Sequence, residues 1–117
     1  MKNIRNPVIT INGVNIGRDF SPYMVAEISS NHCGSLQTML ETIRAAKRSG
    51  ADAVKIQTYE PKDMTVLSDR AEYKINSGIW EGRTLWEIYS EACTPFAWHE
   101  EIFSFARSIG ITIFSTP

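Results

Sequence analysis

The sequence predicts an α/β fold built on a parallel sheet, and three observations predict it. Apolar, β-branched runs recur at residues 23–28, 53–57 and 111–115. Stretches with helical spacing separate them, an alternation that belongs to parallel sheets. Each run also gives way to polar residues at its carboxyl end. A parallel sheet needs cover on both faces or closure into a barrel, because its strands are buried on both sides.

The elements follow in order. Val8, Ile9, Thr10 and Ile11 form a β-branched run, Asn12-Gly13 is a turn dipeptide, and Val14-Asn15-Ile16 returns, which predicts a β-hairpin within residues 1–20. Two short strands are marginal by themselves, so this hairpin should pack as a plug or lid on a larger body. Residues 23–28 read as the first strand of the sheet, buried on both faces. Ser35 is placed to N-cap a helix in which Leu36, Met39, Leu40, Ile43 and Ala46 keep the 3.6-residue period. Lys47 and Arg48 suit the negative end of its dipole, and Gly50 closes it. Residues 53–57 are the second strand, which completes a parallel βαβ unit.

Residues 58–83 lack periodicity, and a connection of this length is functional or mobile. Thr84 and Glu87 form a capping box for a helix running to about Ala92. Thr94 as N-cap and Pro95 as first helical residue begin another, with Trp98, Ile102, Phe105, Ala106 and Ile109 as its buried stripe. The third strand follows Gly110. The chain stops at Pro117 directly after it, which leads us to expect a fragment of a longer protein.

Composition narrows the function classes. Of 117 residues 43% are hydrophobic, enough for a packed core. Twelve basic against 13 acidic residues leave a net charge of −1, which argues against nucleic acid or an anionic membrane as a partner. Cys33 and Cys93 have no metal-type spacing and are expected to be reduced thiols. No apolar run has signal-peptide length or approaches the roughly 20 residues of a membrane span. A cytoplasmic location is the default expectation.

The residues that can carry chemistry lie where ligand sites of parallel α/β proteins lie, at the carboxyl ends of the strands. The first strand offers Glu27, then Asn31 and His32. The second offers Lys55, Gln57 and Thr58, and the third Ser115 and Thr116. Glu27, flanked by Val25, Ala26 and Ile28, is costly to bury unless paired or used. Lys55 stands in the same position, as a phosphate or carboxylate contact or as the partner of Glu27 in a plain ion pair. Asn31 and His32 bind substrate, or else form a turn satisfied by Asn31 with a solvated His32. His99 reads as a surface or packing residue. No Walker, GxGxxG, GxSxG or zinc signature is present.

Four segments taken together resemble the sialic acid synthase family: Ala26-Glu27-Ile28, Asn31-His32-Cys33-Gly34-Ser35, the run from Gly50 to Thr58, and Phe114-Ser115-Thr116-Pro117. The resemblance extends from about Met24 to the end. Residues 80–89 and 94–99, rich in Trp and other aromatics, look more like its pseudaminic acid synthase branch. The resemblance implies the N-terminal part of a (β/α)8 TIM barrel, left incomplete, with the hairpin at 1–20 and the first three βα units at 21–117. It implies condensation of phosphoenolpyruvate with an N-acylated amino sugar, here a 2,4-diacetamido-2,4,6-trideoxyhexose, to give a nonulosonic acid, pseudaminic acid, and phosphate. Glu27 matches the acid that handles protons. Lys55, Gln57, Ser115 and Thr116 match the phosphoenolpyruvate side, and Asn31 and His32 a nearby loop. A divalent metal, Mn2+ or Mg2+, is implied for the full-length enzyme, with its ligands outside this chain. So is a homodimer for the complete protein. Cys33 departs from the Asn or Glu frequent at that position in the family. The chain alone is expected to be inactive. A sialic or legionaminic acid synthase and a non-catalytic truncated binding protein are the alternatives.

Overall fold

The computed structural model describes residues 6–116. Two sheets are present among them. Strands β1 (Ile9–Ile11) and β2 (Val14–Ile16) form an antiparallel hairpin, with Ile11 opposite Val14 across the turn. Asn12 and Gly13 take positive φ, 45° and 83°, as a two-residue hairpin turn demands. The Asn12 side-chain amide donates to the Thr112 hydroxyl at 2.7 Å, which ties the hairpin to the amino end of the third parallel strand.

The second sheet has the order β3-β4-β5 and is parallel throughout. Its strands are β3 (Val25–Ser29), β4 (Ala53–Gln57) and β5 (Thr112–Thr116). Helix α1 (Leu36–Arg48) crosses from β3 to β4 and begins as expected, Ser35 Oγ accepting from the Thr38 amide at 3.2 Å. Between β4 and β5 lie α2 (Pro61–Met64), α3 (Leu85–Ala92) and α4 (His99–Ser108). The core forms on one face of the sheet. Met39 and Ile43 of α1 and Ile102 and Ala106 of α4 pack with Ile28, Val54, Ile56 and Ile111, most of them wholly buried.

Three expectations need correction. The run at 23–28 is not buried on both faces. Ile28 is buried, but Val25 is 42% exposed and Glu27 is exposed, because both helices sit on the same side of the sheet. The segment 58–83, expected to lack periodicity, holds only short elements: α2 begins with a Glu60–Asp63 capping box, residues 71–73 form a 3-10 turn, and Lys74 bridges Thr84. Its elements are too short to produce a visible period. Thr94 does not cap α4. It is buried at 1% exposure, Phe96–Trp98 turn as 3-10, and the α-helix starts only at His99. His32 is not solvated, as described below.

Candidate functional site

Side chains alternate across a strand, so register decides which polar residues meet. Glu27 stands directly opposite Lys55, Lys55 opposite Phe114, and Gln57 opposite Thr116. These five share the face that the helices leave open, at the carboxyl half of the sheet. The Lys55 Nζ lies 2.6 Å from Glu27 Oε2. Both side chains keep partial contact with solvent, at 30% and 43% exposure, so the pair is accessible to a ligand.

Glu27 has a second partner. The ladder is interrupted between Glu27 and Ser29, and Ser29 takes φ 54°, a left-handed conformation uncommon outside glycine. The kink returns the Ser29 amide and hydroxyl onto Glu27 Oε1, each at 3.0 Å. The carboxyl is held below its ordinary range, first by the Lys55 ammonium and then by the two Ser29 bonds, with desolvation opposing. The arrangement gives a fixed carboxylate and a cation side by side, the equipment for proton handling next to an anion.

The remaining predicted residues separate. Asn31 is exposed beside the end of β3, its side chain donating to the Ile28 carbonyl at 3.1 Å. His32 is 1% exposed and meets Trp98 edge-on at 5.1 Å. Its Nδ1 accepts from the Gly34 amide at 3.0 Å, so the neutral ring carries its proton on Nε2, which is buried without a hydrogen-bond partner among the described residues. Burial holds His32 below its ordinary value. This histidine packs the β3 turn against Trp98, just before α4.

Thr58 and Ser115 fall on the helix side of the sheet, since Ser115 pairs with the buried Ile56 and Thr58 follows Ile56 by two residues. Their hydroxyls lie 2.5 Å apart, and Thr58 Oγ1 lies 2.7 Å from His99 Nε2. His99 is stacked between Phe96, 5.5 Å away, and Phe103, 6.2 Å away. Neither Ser29 nor His99 was singled out by sequence reasoning. Nothing in a serine announces a left-handed φ. For His99 a signal existed, since Phe96, His99 and Phe103 have helical spacing and form one aromatic face.

Among the described residues no group of three or more His, Cys, Asp or Glu side chains converges to hold a metal. No helix among them is long and apolar enough to cross a membrane.

Comparison with known proteins places this geometry. The NeuB family model matches residues 42–117. A pseudaminic acid synthase of Campylobacter jejuni is 47% identical over 103 residues, 88% of this chain and 30% of that protein. One of Helicobacter pylori is 44% identical over 96 residues, 82% of this chain and 28% of that protein. An N,N'-diacetyllegionaminic acid synthase of Legionella pneumophila is 35% identical over 108 residues, covering 91% and 30%. The chain thus spans about 30% of the length of these relatives. Among solved structures, the sialic acid synthetase of Leptospira borgpetersenii superimposes with a TM-score of 0.73 over 96% of this chain and 34% of its own, at 21% identity, a likeness of fold.

Proposed function

The chain belongs to the NeuB family, and from that premise we propose that it is the N-terminal part of a (β/α)8 barrel nonulosonic acid synthase. On this reading the hairpin at 1–20 precedes the first three βα units at 21–117, residues 1–5 and 117 lying outside those described. The complete protein joins phosphoenolpyruvate to a 2,4-diacetamido-2,4,6-trideoxyhexose and consumes one water, which takes the place of the departing phosphate, forming pseudaminic acid and phosphate. The observation that carries the reading is the Glu27–Lys55 pair, 2.6 Å apart on the open face that also bears Gln57 and Thr116. The choice of sugar is supported by the relatives at 44% and 47% identity, both pseudaminic acid synthases.

The chemistry follows from the residues. Phosphoenolpyruvate brings a phosphate and a carboxylate, and Lys55 is the cation at the mouth. An anion approaching Lys55 competes with Glu27 for the ammonium. As that bond weakens, the largest influence lowering the Glu27 carboxyl is lost and its proton affinity rises. Glu27 then takes a proton when phosphoenolpyruvate binds and delivers it to the aldehyde oxygen of the open-chain sugar as the carbon–carbon bond forms. Gln57 and Thr116 supply hydrogen bonds on the same face. The Mn2+ or Mg2+ that such synthases use as Lewis acid finds no convergent ligand set among the described residues. We assign its ligands to segments outside this chain, in a complete protein expected to be a homodimer.

The test is phosphate release from phosphoenolpyruvate by the complete protein, with manganese and either the diacetamido sugar or N-acetylmannosamine. Release with the diacetamido sugar alone is expected. Release only with N-acetylmannosamine would keep the family and overturn the substrate. No release from folded protein with either would overturn the reaction and leave Glu27–Lys55 as a plain ion pair.

A further inference from the structure

A hydrogen-bonded chain runs behind the open face. The Ser115 hydroxyl lies 2.5 Å from the Thr58 hydroxyl, which lies 2.7 Å from His99 Nε2, while His99 Nδ1 lies 3.2 Å from the Pro95 carbonyl. A carbonyl oxygen only accepts, so Nδ1 carries a proton and donates to Pro95. The Thr58 hydroxyl meets both His99 Nε2 and the Ser115 hydroxyl, and Ser115 Oγ donates to the Thr116 carbonyl at 2.9 Å, which also accepts from the Thr58 amide at 3.0 Å.

The position of this network matters more than its closure. Thr58 and Ser115 face the helices, but each is bonded in sequence to a residue facing the site, Gln57 and Thr116 respectively. Among the described residues the ladder ends at Gln57–Thr116 and the Thr58 amide bond to the Thr116 carbonyl, and the hydroxyl chain ties both strand ends to the first turn of α4. His99 itself is held by rings on both sides.

We propose that His99 is a positioning residue: through the Thr58 and Ser115 hydroxyls it holds the carboxyl ends of β4 and β5 so that Gln57 and Thr116 present their side chains to phosphoenolpyruvate. The proposal deepens the function proposed above and rests on that reading of the open face. His99 does not reach the open face itself. It acts by fixing two adjacent backbones, and small displacements of substrate-contacting groups carry large kinetic effects.

Three substitutions in the complete synthase separate this role from packing. His99→Phe keeps the aromatic stack and removes both ring bonds. His99→Gln places an amide oxygen near the Nε2 position and can still accept from Thr58. His99→Asn retains only the bond to Pro95. With phosphoenolpyruvate varied, His99→Phe and His99→Asn are expected to lower kcat/KM by about tenfold or more, chiefly through KM, with His99→Gln within about threefold of wild type. The KM for the sugar should change little. If His99→Phe does not fold, Thr58→Val, close in shape but without the hydroxyl, replaces it and should give the same loss. A His99→Phe or Thr58→Val protein at wild-type kcat/KM would overturn the proposal, as would a Gln variant no better than Phe. A wild-type protein that binds phosphoenolpyruvate without releasing phosphate would overturn the reaction instead. The relay then stands or falls on the same variants' Kd for phosphoenolpyruvate, measured by calorimetry.

Discussion

Glu27 and Lys55 are direct neighbours across the first parallel strand pair, and their charged ends meet at 2.6 Å on the face of the sheet that α1 and α4 do not cover. Each is partly solvent-exposed, so the pair contributes little to stability, under about 1 kcal/mol. Its value lies in what a ligand does to it. Glu27→Gln in the complete synthase is expected to cut turnover by about a hundredfold or more while leaving phosphoenolpyruvate affinity within a few fold. Lys55→Met should do the reverse, weakening phosphoenolpyruvate binding by roughly ten- to a hundredfold through loss of a charge-assisted contact. Steady-state kinetics and calorimetry check both. Equal turnover for Glu27→Gln would remove it from the chemistry, and unchanged affinity for Lys55→Met would remove Lys55 from the anion site.

Ser29 holds Glu27 by two bonds at the cost of a left-handed backbone, φ 54°. Ser29→Ala removes the hydroxyl bond but keeps the strain, and Ser29→Gly removes both. The Glu27 carboxyl sits below its ordinary value, so loss of a Ser29 bond moves it upward. Because the reaction needs Glu27 protonated, the alkaline limb of the pH–rate profile should therefore shift to higher pH in both variants. Ser29→Gly should also melt higher than Ser29→Ala, by a few degrees, corresponding to about 1 kcal/mol of relieved strain. Identical melting of the two variants would show that the left-handed residue is unstrained.

His32 makes stability depend on pH. Burial holds its folded value below the ordinary one, near 6.5, so the unfolded chain takes up the proton first as pH falls. Stability should therefore decline as pH drops below about 6.5, before the carboxylates titrate. Urea midpoints measured at pH 7.5 and 5.5 should differ for the wild type. In His32→Phe, which keeps a ring against Trp98, the difference should shrink. An unchanged difference would assign the pH dependence to other groups.

Ile43 is wholly buried where α1 meets the sheet. Ile43→Ala should cost about 2–5 kcal/mol, and Thr84→Ala, which opens the α3 capping box, about 1 kcal/mol. Denaturant titration of the complete protein checks both. A smaller loss at Ile43 would mean the helix–sheet seam relaxes around the cavity.

Much of this was legible in the chain because it depends on local physics. The Ser35 cap, the Thr84–Glu87 capping box, the Asn12-Gly13 turn and the stripes of α1 and α4 each reside within a few residues, where periodicity and turn chemistry act. The short elements between residues 58 and 83 were not legible, since single turns carry no period. Nor was the buried state of His32, which depends on Trp98 arriving from far along the chain.

The candidate site divides in the same way. The sequence by itself determined that polar residues end each strand, and strand alternation separates Gln57 from Thr58 and Ser115 from Thr116, because neighbouring residues on a strand point to opposite faces. Only the tertiary structure decided that Lys55 stands opposite Glu27, that a kink at Ser29 turns two donors onto that carboxylate, and that His99 closes a hydroxyl chain behind the strand ends. Register, bulges and helix docking are set by contacts between residues far apart in the chain, and no local pattern encodes them.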